Sequence, residues 1–354
     1  MKSFNLKARG KVLYAAPLAI ASSALAISLI APQIARASTS NLTAVSPEQL
    51  VSWIQTAHPV SLNGTVTGTT SFPIPSASLL GGSGPQGVIG GSTTETYNVW
   101  ANGTGSFRSQ QVTSAGETDL YVNPGSVWYW DSNTLTATNE KASGTAPMES
   151  PSVSNPQLSA ASVVDKLSTY STLSVSGNQM VAGRPAYTLS LTPIASDSLI
   201  GVVRIAIDGQ THVPVQIQVF PKGSDTPAAS LGFDTLTFAP QPSAIFGFTP
   251  PAGATVVEGG SGAGGANVTS GGGSGSSGTR VVGTGFDSVA VATLSSKQLS
   301  TLAGIAKALP TIATPLGIGH LYSNPVFQAI VLPNGTVVAG AVDTSRLLQV
   351  AAGL

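Results

Sequence analysis

The feature that most constrains the fold of this chain is the recurrence of large apolar residues at every second position in three runs between positions 186 and 238. Three runs show it, at 187–191, 203–207 and 213–219. A period of two is that of a β-strand with one apolar face, and it differs from the 3.6-residue period of a helix. The connections between the runs are short and rich in turn residues, which predicts an antiparallel meander.

Further apolar runs predict additional strands before the meander. They lie at 64–70, 97–101, 105–113, 120–123 and 127–131. Together the runs predict about eight to ten strands, and a single sheet of that size has to curl.

Two helices are predicted to cover this sheet. The first spans 46–57, with Ser46 as N-cap, Pro47 in the first turn and Gln49 closing a capping box. The second spans 159–167, where apolar residues recur at helical spacing. Two helices cannot cover such a sheet alone. The remaining face needs closure into a barrel, a second sheet, or a concave surface that holds an apolar ligand.

Composition excludes several classes of function. The chain has no Cys and only three His, at positions 58, 212 and 320, so neither a thiolate site nor a zinc site built from close His pairs is expected. Lys and Arg balance Asp and Glu at 15 each, which provides no basic field for nucleic acid. No Ser lies in a nucleophile elbow with a His base, and no phosphate-binding loop occurs. We therefore predict a non-enzymatic protein without catalytic residues, metal or cofactor.

The first 37 residues are typical of an export signal. Lys2, Lys7, Arg9 and Lys11 precede an uncharged stretch at 12–34 and the sequence Ala-Arg-Ala at 35–37. Two alternatives remain, because this stretch is also long enough for an uncleaved membrane anchor. Either alternative places the remainder outside the cytoplasmic membrane, in the cell envelope or secreted. Cleavage before Ser38 removes five of the 15 Lys and Arg residues and no acid, so the mature chain is acidic.

A Gly/Ser tract at 259–279 predicts a flexible linker between two modules. The predicted organisation is therefore a signal or anchor at 1–37, a main domain at 38–258, the linker, and a C-terminal α+β module at 280–354. Within this module we expect a strand at 280–294, a helix at 296–309, a hairpin that turns at 333–335, and a last helix that begins after Asp343. The module is small for independent stability, which favours docking on the main domain.

Several ordered motifs resemble the actinobacterial branch of the LolA-like lipoprotein-carrier family, whose superfamily includes the RseB/MucB periplasmic regulators. In the main domain they are SPEQLVSWIQTA (46–57), LNGTV (62–66), TTETYNVWANGTGSFR (93–108), TDLYVNPGSVWYWDSN (118–133), VAGRPAYTLSLTP (181–193), SLIGVVRIAIDGQTHVPVQIQVF (198–220) and FGFTPPAGATVVE (246–258). Beyond the linker, QAIVLPNGTVVAGAV (328–342) also resembles this family.

The resemblance implies an α+β fold, in which a curved antiparallel sheet forms an unclosed half-barrel capped by helices, with the small C-terminal module attached. It also implies binding of lipid acyl chains or lipoproteins, at or near a membrane surface. Two functions follow: a lipid or lipoprotein carrier, or an RseB/MucB-like envelope-stress sensor that restrains a membrane-bound anti-sigma factor.

The candidate lining of such a cavity comes from the apolar face of the sheet and from the first helix. It comprises Trp53, Ile54, Leu189, Leu191, Val203, Ile205, Val215, Ile217 and Phe233. The alternative is that the same residues form an ordinary sealed core.

The Gly/Pro-rich segment 72–92 carries four apolar residues and is interpreted as a mobile flap at the cavity mouth or as a segment without fixed structure. These residues are Leu79, Leu80, Val88 and Ile89.

Aromatic and basic residues of the strands leave two further alternatives. Trp128 and Trp130 share one face of a predicted strand, which favours packing over a ligand platform. Arg184 and Arg204 are either solvated surface residues or contacts for a lipid phosphate.

Overall fold

The structure is a computed structural model that describes residues 42–71, 74–75, 88–89, 92–141, 155–259, 280–294 and 308–354. The predicted signal or anchor at 1–37 lies outside the described residues. The greater part of the predicted linker (260–279) and of the predicted helix at 296–309 is also outside them. No helix among the described residues is long and apolar enough to cross a membrane.

The main domain is one twelve-stranded sheet. Its strands are β1 Ser61–Thr70, β4 Thr93–Asn102, β5 Phe107–Val112, β6 Glu117–Asn123, β7 Ser126–Asp131, β8 Thr136–Lys141, β9 Ser171–Val181, β10 Arg184–Pro193, β11 Ile200–Asp208, β12 Pro214–Pro221, β13 Ala229–Thr237 and β14 Thr255–Gly259. A separate two-stranded pair joins β2 Ile74–Pro75 to β3 Val88–Ile89.

The strands lie in the order β14-β8-β7-β6-β5-β4-β1-β13-β12-β11-β10-β9. Every pair is antiparallel except β14 and β8, which are parallel. The sheet is open, with β9 and β14 at its edges, so the predicted unclosed and mainly antiparallel architecture is confirmed. Strands β8, β9 and β14 were not predicted.

Irregularities in strand pairing bend the sheet. The register of β1 against β13 shifts between Thr65 and Val66, and that of β11 against β12 shifts between Ala206 and Ile207. Such bulges increase local twist. Next to the first of them, a Cβ on Gly64 would overlap the backbone oxygen of Thr235. Glycine at this position therefore permits close approach of the two backbones.

Both predicted helices are present. Helix α1 (Pro47–Thr56) begins after Ser46, whose Oγ accepts a hydrogen bond from the Gln49 amide at 3.2 Å. Helix α2 (Pro156–Leu167) begins three residues earlier than predicted because Asn155 acts as its N-cap. The Asn155 side chain accepts hydrogen bonds from two amides of the first turn. Ser46 is therefore confirmed as the N-cap of α1, whereas Asn155 as the N-cap of α2 was missed.

The C-terminal module is a six-stranded sheet with one described helix. Its elements are β15 Arg280–Val282, β16 Val289–Thr293, β17 Thr311–Thr314, β18 Gly317–Asn324, β19 Phe327–Val331, β20 Thr336–Gly340 and α3 Thr344–Ala352. The predicted hairpin and the cap of the last helix are confirmed: β19 pairs with β20, and Asp343 accepts from the Arg346 amide. The single strand expected at 280–294 is wrong, because a short 3-10 turn at Gly285–Asp287 divides it in two.

The C-terminal module docks on the main sheet through backbone hydrogen bonds and charges. The Leu199 amide donates to Ala341, and the Asp343 amide donates to Asp197, each at 2.9 Å. Arg346 lies 3.7 Å from carboxylate oxygens of both Asp197 and Asp287. Residues of both modules therefore form this contact.

Phe286 contributes an apolar part of the same contact. It is 3% exposed and belongs to the core cluster under α1 and α2, although it lies beyond the linker in sequence. The preceding residue, Gly285, has a φ of 57°, and any Cβ there would overlap the ring of Tyr170. The turn thus seats Phe286 in the core of the main domain.

Removal of the Phe286 ring tests this docking. We expect Phe286→Ala to lower the free energy of unfolding by about 3 kcal/mol, as for other aromatic truncations in cores. Urea denaturation of the full chain measures this change. Val281→Ala, at a position that is 53% exposed, is the control. Equal effects of the two substitutions would contradict the insertion of Phe286 into the main core.

Candidate functional site

Two cross-strand rows of residues run across seven neighbouring strands, from β9 to β4. The first row is Val175, Leu189, Ile205, Ile217, Leu231, Gly68 and Glu95. The second row is Leu173, Leu191, Val203, Val219, Ala229, Thr70 and Thr93. Directly opposed residues on paired strands project to the same face. One face of the sheet is therefore apolar from β9 to β13 and becomes polar at β1 and β4.

The apolar end of both rows is sealed. Leu189, Leu191 and Ile205 have no exposed surface, and they pack in one cluster with Leu50 of α1 and Val164 of α2. This end of the face forms a closed core under the two helices.

At the polar end the same face opens into a cleft of about 220 Å³. Its lining comprises Gly68, Thr69, Thr70, Thr93, Glu95, Ser159, Ile217, Val219, Ala229, Ser230 and Leu231. The cleft is smaller than the roughly 300–1,000 Å³ of usual ligand pockets. It therefore accommodates part of a lipid-sized ligand unless the neighbouring helix moves.

Gly68 contributes the space at the centre of the cleft. It has no side chain to extend the first row between Leu231 and Glu95. A Cβ at this position would meet only Leu231 Cδ1 at 3.5 Å and Glu95 O at 4.0 Å, which are ordinary contacts. Nothing in the backbone requires glycine here. The missing side chain therefore keeps the cleft open.

The cleft has an apolar floor and a hydroxyl-rich rim. Ile217, Val219 and Leu231 are on the floor. On the rim, the hydroxyls of Thr70 and Thr93 are 2.7 Å apart.

Glu95 belongs to the same rim. Its Oε2 accepts a hydrogen bond of 2.6 Å from the Tyr97 hydroxyl. Burial, and then the Glu95 carboxylate, raise the pKa of Tyr97 well above its usual value, which keeps the phenol protonated as a donor. Glu95 therefore has a hydrogen-bond partner at the mouth of the cleft.

The structure divides the predicted lining residues between two apolar clusters. Seven belong to the sealed cluster or pack against it: Trp53, Ile54, Leu189, Leu191, Val203, Ile205 and Ile217. Val215 and Phe233 belong to a second cluster, which Leu231 also contacts. Among the nine, Ile217 alone lines the cleft. Whether the others contact a ligand stays a prediction.

Val215 is separated from Ile217 because of the irregular β11–β12 register. Ala206 pairs with Gln216, whereas the next residue, Ile207, pairs with Pro214, which leaves Val215 without a direct partner. The prediction that Val215 and Ile217 line the same cavity assumed unbroken alternation along β12, and this irregularity interrupts it.

The predicted flap joins the sheet at the edge of the cleft. Thr70 ends β1 and Thr93 begins β4, and both line the cleft. Val88 and Ile89 form β3, which pairs with β2, whereas Leu79 and Leu80 lie outside the described residues. The flap hypothesis stays a prediction.

Sequence reasoning missed the polar half of the site, including Thr70, Thr93 and Glu95. The predicted lining was apolar, and of these three residues only Thr70 was in a predicted strand. One signal was present: Gly68 lies inside a threonine-rich strand, and an isolated glycine there often marks close approach of a ligand or another backbone.

A second group of aromatic and charged residues lies on β4–β7. Phe248 packs on Tyr121, Trp128 and Trp130, with ring centroids 4.9–6.1 Å apart. The packing interpretation of the two tryptophans is therefore favoured.

Arg108 and Asp119 form a buried ion pair beside these rings. Arg108 donates to Asp119 Oδ1 from Nε at 3.0 Å and from NH2 at 2.8 Å, and its guanidinium lies 4.7 Å from the Tyr121 ring. Burial and the neighbouring Glu117 carboxyl nevertheless raise the pKa of Asp119 to about 7. Asp119 Oδ2 is buried without a hydrogen-bond partner, which agrees with this direction.

Neither predicted phosphate contact faces the cleft. Arg184 donates to Asp208 and lies 4.7 Å from the Phe238 ring, and Arg204 lies 4.3 Å from the Phe220 ring. In the part of the chain that the structure describes, no group of three or more His, Asp or Glu side chains is arranged to hold a metal ion.

No family model and no curated protein sequence matches the chain. Solved structures do. The match to MucB of Pseudomonas aeruginosa, in the structure of the MucA/MucB complex, covers 86% of this chain and 95% of the MucB chain. The sequence identity is 14% and the TM-score is 0.43.

Two further solved structures are similar over the greater part of their own length. The match to a LolA superfamily protein of Nitrosomonas europaea covers 58% of this chain and 99% of that protein's chain, with 12% identity and a TM-score of 0.27. LprF of Mycobacterium bovis matches at 11% identity, covering 59% and 97%, with a TM-score of 0.31.

The raised pKa of Asp119 predicts a pH dependence of stability. In the folded protein the pKa of Asp119 is near 7, above the ordinary 3.8. Its protonated form therefore stabilises the fold at low pH, and this stabilisation is lost as the pH rises from about 3.8 to about 7. We expect the unfolding free energy of the natural protein, relative to Asp119→Asn, to fall as pH rises from about 4 to about 7. Urea denaturation across that range measures it. Asp225→Asn, in an exposed turn, is the control. A relative stability that rises with pH would contradict the shift.

Proposed function

We propose that the chain is an extracytoplasmic, non-enzymatic protein that binds lipids or lipoproteins by holding acyl chains on the apolar face of its open sheet. One observation supports this most strongly: the two cross-strand rows continue without a break from the sealed core to the cleft. A ligand that enters at the floor, beside Ile217 and Leu231, meets the same face that leads to Leu189 and Ile205.

Acyl binding requires more space than the cleft provides, and the helices can supply it. Burying a chain of about sixteen carbons gains roughly 12 kcal/mol before ordering costs, at about 0.8 kcal/mol for each methylene. Helix α2 lies directly above the floor, where Ser159 lines the cleft and Val164 is buried in the adjoining core. If α2 moves aside, the methylenes of the ligand pack against the sheet in place of the apolar side chains of α2. The sealed residues Leu189, Leu191, Val203 and Ile205 then become lining.

The chemistry of the cleft favours binding over catalysis. Its described lining contains hydroxyl groups and one carboxylate, and no His among them is available to activate a hydroxyl nucleophile. Apolar floor area with a polar rim is the usual composition of a site for an amphiphile.

Export and a membrane-facing location belong to the same proposal. The basic, then uncharged, N-terminal segment supports export, and a lipid ligand has to be taken from a membrane surface or returned to one.

Filling the space at Gly68 tests lipid binding at the cleft. We expect Gly68→Val to weaken uptake of a fluorescent long-chain fatty acid about tenfold, because its methyl groups occupy the central space on the ligand's face. Equilibrium fluorescence titration of the full chain measures the dissociation constant. The unfolding midpoint should not fall, because a Cβ at this position makes only ordinary contacts.

Gly247→Val provides the matched control. Gly247 is exposed and extended, and a Cβ there would lie 3.7 Å from the Ala244 oxygen, which leaves comparable room. It should bind as the natural protein does. Undiminished binding by a folded Gly68→Val variant would overturn the assignment of this cleft.

A second candidate function is an envelope-stress sensor that restrains an anti-sigma factor. One observation favours it: α2 contacts both the lipid cleft, through Ser159, and the C-terminal module, through the turn that carries Phe286. Displacement of α2 by a lipid would therefore disturb the docking of the C-terminal module, which is what a sensor requires.

Hydrogen–deuterium exchange distinguishes the two functions. For a sensor, addition of a long-chain fatty acid should increase amide exchange at 284–291 and 341–347, where the C-terminal module meets the main domain. For a simple carrier, the change should be confined to α2, β12 and β13. Gly68→Val serves as the control, because at the same fatty-acid concentration its weaker binding should reduce both responses.

A further inference from the structure

The mouth of the cleft carries negative charge and hydroxyl groups. Glu95 is the one ionisable side chain among the described residues that line it, and it is exposed. Thr70 and Thr93 lie beside it in the second row, and Ser159 of α2 also lines the cleft. A carboxylate only accepts hydrogen bonds, whereas each hydroxyl both donates and accepts. The rim is thus suited to a ligand that offers hydroxyl donors.

No Lys or Arg among the described residues lines the cleft to balance Glu95. The nearby sheet cations have other partners: Arg184 pairs with Asp208, Arg204 stacks on Phe220, and Lys222 donates to the Ser196 oxygen. An anionic headgroup at the rim would therefore meet a carboxylate without a compensating cation.

The N-terminus of α2 does not reverse this preference. A helix start attracts anions through its free amides and its dipole. Here the neutral Asn155 side chain already accepts from the Gln157 and Leu158 amides, at 3.0 and 3.3 Å. The first turn is capped from within the chain.

We propose that the cleft selects amphiphiles with an uncharged, hydroxyl-bearing headgroup, such as a glycosyl or glycerol group, and disfavours anionic phospholipids. In this arrangement the headgroup hydroxyls donate to Glu95 and exchange hydrogen bonds with Thr70 and Thr93, while the acyl chain lies on Ile217, Val219 and Leu231. This inference rests on the proposed lipid binding and specifies the ligand class of the same site.

Three fluorescent lipids with identical acyl chains test the selection: a monoglucosyl diacylglycerol, an unglycosylated diacylglycerol and a phosphatidylglycerol. Each is titrated with the full chain at low salt. We expect the glucosyl lipid to bind about tenfold more tightly than phosphatidylglycerol, with diacylglycerol between them. Glu95→Gln should improve phosphatidylglycerol binding about threefold, and added salt should reduce that gain because an exposed charge is screened.

Glu258→Gln is the matched control. Glu258 is an exposed glutamate on β14, at the edge of the sheet remote from the cleft in strand order. Its substitution should change none of the three affinities. Equal changes from Glu258→Gln and Glu95→Gln would overturn the local role of Glu95.

The outcomes separate the two proposals. If all three lipids bind equally, or if phosphatidylglycerol binds most tightly, the headgroup selection is wrong while lipid binding stands. If none of the three binds to the folded protein, the proposed function fails and the headgroup inference fails with it.

Discussion

Burial of one apolar sheet face beneath α1 and α2 is the interaction on which the rest of the structure depends. Leu189, Leu191 and Ile205 are fully buried there, and opposed residues on seven strands place all of their neighbours on the same face. The helices contact the sheet from β9 to β13. The cleft begins where this cover ends, so its position follows from having two short helices on a sheet of twelve strands.

Local signals in the sequence predicted this part of the fold well. The period-two runs predicted β10–β13 because each strand has one buried face, and Ser46 with Pro47 predicted the start of α1. Strand β9 was missed although Leu173 and Val175 alternate with polar residues in it. An edge strand needs fewer apolar residues, and composition is then a weak guide to it.

What the sequence could not show depends on register and on distant contacts. A bulge at Val215 moved that residue away from Ile217, and no local pattern indicates where two residues on one strand will oppose one on its neighbour. Phe286 gave no sign that it would enter the main core, because all other buried members of its cluster precede it by about seventy residues or more, and those of α2, Ala160 and Val164, by more than a hundred. The cleft was missed for a related reason: Gly68, Thr70, Thr93 and Glu95 meet only through the pairing of β1 and β4.

The scarcity of charged residues has its clearest consequence at the cleft. Only 8% of the residues are charged, so a single carboxylate such as Glu95 largely determines the local electrostatic potential of the rim. The strongest ion pairs lie elsewhere and are committed to the fold: Arg108 with Asp119, and Arg184 with Asp208. Acyl chains supply affinity without specificity, because every methylene contributes similarly. If the cleft binds lipids as proposed, discrimination among lipids with equal chains comes from the rim, where one carboxylate and a few hydroxyl groups would contact the headgroup.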